Sequence, residues 1–279
     1  MNTANHAAPA TQRTAIAPHR LAALGVALVA ALSLPQLAAA QAPAYDITFK
    51  NLTSNAATTG AATEQTGQRL SPPVFITHSA DYTAYTVGQA APETIWRIAE
   101  GGNRSFLLDE VNALVGTSVL SVAAPLSSPL PQQDSVTIRV QADASHHLLS
   151  FASMLGWTND GFVGVSGLDL STITGTVTVT INLYGYDAGS EKNSEANGFL
   201  GALGLGNARD PEGGLITTHL GIRGDANAPA AWNWLPGPAA SLTISAVPEP
   251  SGWALMLAGG LPLLHLLRKR AGAGSAHKV

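Results

Sequence analysis

Three acidic side chains stand in two short loops that contain glycine, and their chemistry is that of a cation site. Asp160 lies in the sequence WTNDGFVG, and Asp187 and Glu191 lie in YDAGSE. Three carboxylates cannot share a small volume unless a cation or protons neutralise them. In a chain without cysteine, such oxygen ligands favour Ca²⁺ over zinc or copper. The first hypothesis is therefore a Ca²⁺ site formed by these three acids.

Strand-like runs flank both acidic loops and would have to position them. Residues 148–154 lead into the Asp160 loop, and residues 162–165 leave it. The alternating sequence TVTVTINL at 176–183 leads directly into the second loop, and its period of two indicates a strand. We predict that residues 176–183 pair with residues 162–165. That pairing would bring both loops to one end of a β-sandwich.

The two loops resemble the signature segments of the spondin domain, in which an Asp precedes an aromatic residue and Val-Gly, and Asp-Ala-Gly-x-acid follows downstream. The resemblance covers roughly residues 45–246. It implies an eight-stranded antiparallel β-sandwich, similar to a C2 domain, that holds Ca²⁺ through Asp160, Asp187 and Glu191. Two positions depart from the family's matrix proteins, which have Asp in place of Glu191 and an aromatic residue in place of Gly161.

The remaining pattern predicts a mainly β fold with a short helical insertion. Helices are expected over residues 91–102, where Pro92 and Glu93 suit a first turn, and over residues 106–115. Alternating or apolar runs predict the other strands, at 45–53, 70–79, 118–123, 135–141, 215–222 and 239–246.

The charge distribution excludes one class of partner. Residues 41–247 contain eight Lys and Arg against 17 Asp and Glu, so this region carries a net charge of −9. An acidic domain does not suit nucleic-acid binding, which requires a basic surface. The absence of cysteine also excludes disulfides, and a bound metal is one other way to stabilise an exported domain.

Residues 1–40 have the pattern of a secretory signal peptide. Basic residues precede an apolar run at 21–34, and the sequence LAAA at 37–40 supplies small residues for cleavage. The run is short for a permanent membrane anchor. This segment predicts a signal helix and an exported protein, with the sandwich domain at 41–246.

The C-terminal segment, residues 247–279, contains a second processing pattern. Pro248, Glu249 and Pro250 precede an apolar run at 252–267, and a basic cluster follows at 268–270. The run predicts a transmembrane helix whose basic end is cytoplasmic. The three elements in this order resemble the PEP-CTERM sorting signal of Gram-negative bacteria, which implies processing by an exosortase. An ordinary tail anchor would leave the Pro-Glu-Pro motif unexplained.

Together these features predict a non-enzymatic, Ca²⁺-stabilised adhesion or binding module at the cell surface or in an extracellular matrix. Extracellular polysaccharides and surface proteins are the expected partners. The alternative is a secreted carbohydrate-active hydrolase that uses Asp160 with Asp187 or Glu191 as its carboxylate pair. No nucleophile elbow, HExxH motif or phosphate-binding glycine loop supports an enzyme.

Several residues have two possible roles at this level. His78 suits either a metal ligand or a hydrogen-bonded core histidine. Trp232 and Trp234 suit either a sugar-stacking platform or packing beneath a loop. Further metal ligands are also possible in the glycine-rich segment at 188–214, namely Glu195, Asp210 and Glu212.

Overall fold

The computed structural model describes residues 42–54 and 66–248. The predicted signal helix, Glu249, Pro250 and the predicted transmembrane helix at 252–267 lie outside these ranges. Within them the chain forms two α-helices, Glu93–Gly101 (α1) and Ser105–Ala113 (α2). Neither of these helices is long and apolar enough to span a membrane. The strands are Ala44–Asn51 (β1), Val74–His78 (β2), Val119–Ala123 (β3), Ser135–Gln141 (β4), Leu148–Met154 (β5), Gly161–Asp169 (β6), Thr178–Leu183 (β7), Tyr186–Asp187 (β8), Thr217–Thr218 (β9) and Ala240–Val247 (β10).

The strands form two antiparallel sheets, which confirms the mainly β prediction. One sheet has the order β4-β1-β10-β7, and the other has the order β3-β2-β5-β6-β8-β9. A core cluster drawn from both sheets joins them, with the Phe49 ring 5.2 Å from that of Phe151 and 6.3 Å from that of Phe75. Eight strands have five or more residues, while β8 and β9 have two each.

Helices α1 and α2 cover the other side of the six-stranded sheet and confirm the helical insertion. Ile95 and Ile98 of α1 and Val111 of α2 belong to a second core cluster that also contains Val74 and Ile76 of β2. Because alternate residues of a strand point to opposite faces, β2 faces the inter-sheet core with Phe75 and the helices with its neighbours. All five residues of β2 are consequently buried.

The predicted pairing of residues 176–183 with residues 162–165 is wrong. Strand β7 pairs with β10 in the four-stranded sheet, whereas β6 pairs with β5 and, at Gly161 and Phe162, with β8. The chain therefore crosses from one sheet to the other at residues 184–185, where Gly185 has a φ of 103°. The period of two predicted the strand correctly, but periodicity contains no information about which strand becomes the partner.

Candidate cation site

A tight turn places Asp160 at the start of β6. The Thr158 hydroxyl donates to the carbonyl of Leu155 at 2.6 Å and accepts from the Gly161 N–H at 2.9 Å. A Cβ on Gly161 would lie 2.5 Å from Thr158 Oγ1 and 2.9 Å from Cδ2 of His219. The close packing of this turn therefore requires glycine at 161, which gives a physical reason for one departure from the family pattern.

The pairing of β6 with β8 brings Asp160 and Asp187 together. Gly161 faces Asp187 across the two strands, and the Ala188 N–H donates to the carbonyl of Asp160 at 3.1 Å. The two acids thus meet as predicted, but through the short strand β8 and not through a hairpin with β7.

Only one of the two carboxylate oxygens of Asp160 accepts hydrogen bonds. Its Oδ2 accepts the backbone N–H groups of Ser190 and Glu191, each at 2.9 Å. Its Oδ1 is buried and has no hydrogen-bond partner among the described residues. Burial, reinforced by the charge of Asp187, raises the pKa of Asp160 to about 7. The ionised Asp160 carboxylate therefore lacks a neutralising group, which either a cation or a proton would supply.

Local hydrogen bonds hold Asp187. Its Oδ1 accepts the Gly189 N–H at 2.7 Å, and its Oδ2 accepts from the side-chain amide of Asn193. Gly189 has a φ of +66°, and a Cβ there would lie 2.6 Å from the backbone of Leu215. The second loop therefore requires glycine at 189, just as the first requires glycine at 161.

Glu191 is buried beside Asp160, but its carboxylate belongs to a second group of charges. Burial, followed by the charges of Glu100 and Asp160, raises the pKa of Glu191 to about 7. Arg209 lies 3.9 Å from Glu191 Oε1 and 2.8 Å from Glu100 Oε2. Glu191 thus contacts α1 and Arg209, and Asp160 is its link to Asp187. No three or more His, Asp or Glu side chains in the described ranges are grouped so as to hold a metal ion, and the three-acid ligand set stays a prediction.

His219 is a buried residue of this site that the sequence did not indicate. Its Nδ1 accepts the Gly221 N–H at 2.9 Å, so the neutral ring carries its proton on Nε2. That Nε2 is buried without a partner in the described part of the chain. Burial lowers the pKa of His219 to about 4, against the opposing charges of Asp187 and Glu195. The sequence offers only a histidine two residues before a glycine, and this pattern is too common to predict a functional residue.

Two of the three other acids that remained possible ligands have structural roles. Glu195 accepts the backbone N–H groups of Arg223, Gly224 and Asp225, and it therefore fixes the 223–225 turn. Asp210 forms an ion pair with Lys192 at 2.9 Å. Glu212 is exposed.

His78 and the two tryptophans take the less specific of their predicted roles. His78 is buried, and its ring nitrogens lie 2.8 Å from the Ser79 carbonyl and 2.7 Å from Ser150 Oγ. Trp232 packs against Trp157 with ring centroids 4.9 Å apart, and Trp234 donates to the carbonyl of Tyr184 at 2.7 Å. Both tryptophans are buried and do not form an exposed platform.

The sequence of this domain matches a known family. The Spondin_N family profile matches residues 43–196, which is more than half of the chain and includes Asp160, Asp187 and Glu191. The chain belongs to the Spondin_N family. It is similar to human Spondin-2, with 34% identity over 119 residues. That match covers 41% of this chain and 35% of Spondin-2, so it spans about a third of the relative's length.

Proposed function

We propose that this Spondin_N protein is an exported, non-enzymatic binding module in which Ca²⁺ stabilises the loops at the Asp160 end. The observation that carries the proposal is Asp160 Oδ1, a fully buried acceptor that has no described hydrogen-bond partner and lies beside the charge of Asp187. An unpaired buried acceptor destabilises a fold, and a second nearby carboxylate increases the cost. A bound cation would remove both penalties.

The residues present fit such an ion in part. Asp160 and Asp187 would supply carboxylate oxygens, and Glu191 would join them only by moving away from Arg209. Ca²⁺ takes six to eight oxygens, so backbone carbonyls and water would supply the others. The proton on His219 Nε2 makes this ring a donor to a bound water and not a metal ligand.

The hydrolase alternative receives less support from the site. A glycosidase carboxylate has to reach the bond that it cleaves. The Asp160 side chain has no exposed surface, and neither Asp160 nor Asp187 lines the larger of the two clefts described in this fold. A raised pKa beside a second acid also follows from burial without a counter-charge. We therefore assign the acids to stabilisation and not to catalysis.

The experiment that tests the cation is thermal unfolding of the full chain in mild detergent. Ca²⁺ at 100 times its dissociation constant stabilises the native state by about 2.7 kcal/mol. For a domain near 200 residues this raises the Tm by about 5–10 °C over the value in chelator. An unchanged Tm for the wild-type protein would refute the site.

Matched variants separate the site from general charge effects. Asp187→Asn should lose the Ca²⁺-dependent rise in Tm. Asp109→Asn, which removes an exposed acid from α2, should retain the full rise. A rise that survives in Asp187→Asn would place the ion elsewhere.

Export and sorting form the second part of the proposal. The signal pattern at 1–40 and the ordered C-terminal elements at 247–279 support secretion, followed by processing by an exosortase-type enzyme of a Gram-negative host. The mature module would then act at the cell surface or in the extracellular matrix, on polysaccharides or surface proteins. Mass spectrometry of the protein from its own host should show the basic residues 268–270 removed, and their retention would contradict this route.

A further inference from the structure

The sheet-to-sheet crossing at residues 184–185 opens a cleft on the side of the sandwich. Strand β6 pairs with β8 only at Gly161 and Phe162, and β7 lies in the other sheet. Beyond Phe162, β6 has no described partner on that side, and β7 is the edge strand of its own sheet. A cleft of about 920 Å³ lies between them, closed on a third side by residues from the 80–87 segment.

The described residues that line this cleft are uncharged, and both polar and aliphatic side chains are among them. None of them is Asp, Glu, Lys or Arg. His78, which also lines it, has both ring nitrogens hydrogen-bonded and a lowered pKa caused by burial, so it is neutral at pH 7. Residues with a hydroxyl group make up much of the lining, namely Thr83, Tyr85, Thr86, Ser166, Tyr184, Tyr186 and Thr218, while the hydroxyl of Tyr82 is buried. An ionic ligand would lose its hydration here without gaining a counter-charge.

One wall of the cleft combines an exposed aromatic ring with an exposed amide. Tyr184 is 49% exposed, and the bond from Trp234 Nε1 to its carbonyl fixes the backbone beneath it. Asn182 lies two residues earlier, is also exposed and offers both donors and an acceptor. Tyr186 lines the same wall and packs against Phe162 with ring centroids 5.5 Å apart.

We propose that the cleft between β6 and β7 binds a neutral oligosaccharide, which stacks on Tyr184 and forms hydrogen bonds with Asn182. A sugar presents an apolar C–H face and a rim of hydroxyls that both donate and accept, which matches an aromatic ring beside uncharged polar groups. The volume lies within the range of protein sites for small ligands, about 300–1,000 Å³. The inference extends the proposed binding function by naming a ligand class, and it does not depend on the cation.

The unpaired edges of β6 and β7 also permit another kind of ligand, an extended peptide that adds a strand. Five exposed residues of the lining are polar, namely Thr83, Thr86, Asn182, Tyr184 and Thr218, whereas strand addition relies on pockets for alternate side chains. We therefore argue for the sugar and make the peptide an outcome of the test.

The test is isothermal titration calorimetry of the full chain in a detergent without a sugar headgroup. The neutral ligands are the hexasaccharides of cellulose, laminarin, starch, mannan and xylan, and the charged one is an alginate hexasaccharide. We expect at least one neutral glycan to bind and alginate not to bind. Tyr184→Ala and Asn182→Ala should each weaken binding about tenfold.

Two controls test whether glycan binding is specific to the cleft. Phe106→Ala removes an exposed aromatic ring on α2, outside the cleft, and should leave glycan affinity unchanged. Titration of the wild-type protein in chelator should also leave the glycan affinity unchanged, which distinguishes failure of the cleft from failure of the cation site. Lack of binding by all five neutral glycans, tighter binding of alginate, or an equal loss in Phe106→Ala would overturn the proposal. Binding of a synthetic peptide of residues 176–183 in place of any sugar would overturn it in favour of strand addition.

Discussion

Asp46 and Asp160 are the same residue type in opposite electrostatic environments. Asp46 lies on β1 and receives two hydrogen bonds from Arg139 of β4, at 2.7 and 2.8 Å. That pairing lowers the pKa of Asp46. Asp160 is fully buried, has Asp187 and Glu191 as charged neighbours, and its pKa is raised to about 7.

This difference shows what each carboxylate contributes to the protein. The Asp46 pair is complete within the chain, because a neighbouring strand provides the counter-charge in register. The Asp160 carboxylate has two backbone donors for one oxygen and none for the other among the described residues. A buried carboxylate left in that state costs stability unless a cation or a proton neutralises it.

The largest expected effect is that of Asp160→Ala. The substitution removes the acceptor of two buried N–H groups, which should lower the free energy of unfolding by about 2–4 kcal/mol. Urea unfolding measures this loss. Asp160→Asn keeps an acceptor oxygen for those groups, so it should be clearly milder. Equal losses in the two variants would mean that the hydrogen bonds to Ser190 and Glu191 do not explain the stability of this turn.

A smaller effect is expected from pH in metal-free buffer. The pKa of folded Asp160 is raised from 3.8 to about 7, so its contribution is fully present below pH 3.8 and is lost as the pH rises through 7. Between pH 5 and 8 the wild-type protein should lose on the order of 1–4 kcal/mol relative to Asp160→Asn. Urea midpoints at the two pH values test this. The idea fails if the wild-type protein instead gains stability over that interval.

Asp46→Ala should have a still smaller effect. An exposed pair of this kind contributes about 0.2–1 kcal/mol, and 1 M salt should screen much of that. The same salt should leave the cost of Asp160→Ala nearly unchanged, because buried groups are screened less. Unfolding curves at low and high salt compare the two directly, and equal salt sensitivity would remove the distinction between them.

His146 and His219 offer the same comparison for a basic side chain. Here the expected difference is in pKa and not in the stability of the protein. His146 has acceptors at both ring nitrogens, the Thr117 carbonyl at 2.8 Å and Asp143 at 2.9 Å, and these bonds raise its pKa. Burial lowers the pKa of His219 to about 4. NMR titration should show His146 changing above pH 6.5 and His219 unchanged from pH 8 to 5. The variants His146→Gln and His219→Gln assign the two signals. A His219 signal that titrates at higher pH than that of His146 would contradict the prediction.

Local patterns in the sequence predicted the elements well. Strands β4 and β5 begin and end where the alternation indicates, and the caps around Pro92 and Gly102 delimit α1. These features depend on residues close in the chain, so periodicity and capping chemistry contain the necessary information.

The partners of these elements could not be predicted in the same way. The alternation in β7 is compatible with either sheet, and the segment 215–222 forms only the two-residue strand β9. At the site, Asp160 and Asp187 were identified because both stand in glycine-containing loops beside strand-like runs. His219, Glu100 and Arg209 approach from distant segments, and no local pattern connects them with the acidic loops.

The first long strand of this fold lies beside the last one. β1 pairs along its whole length with β10, nearly 200 residues later, and β10 is also the partner of β7. The four-stranded sheet therefore cannot assemble until the final strand has been synthesised. Contacts this distant in sequence slow folding, because a long loop must close before they form. The native domain is therefore complete only after its last strand has been made, and until then the chain lacks the fully folded form that a narrow translocation channel would exclude.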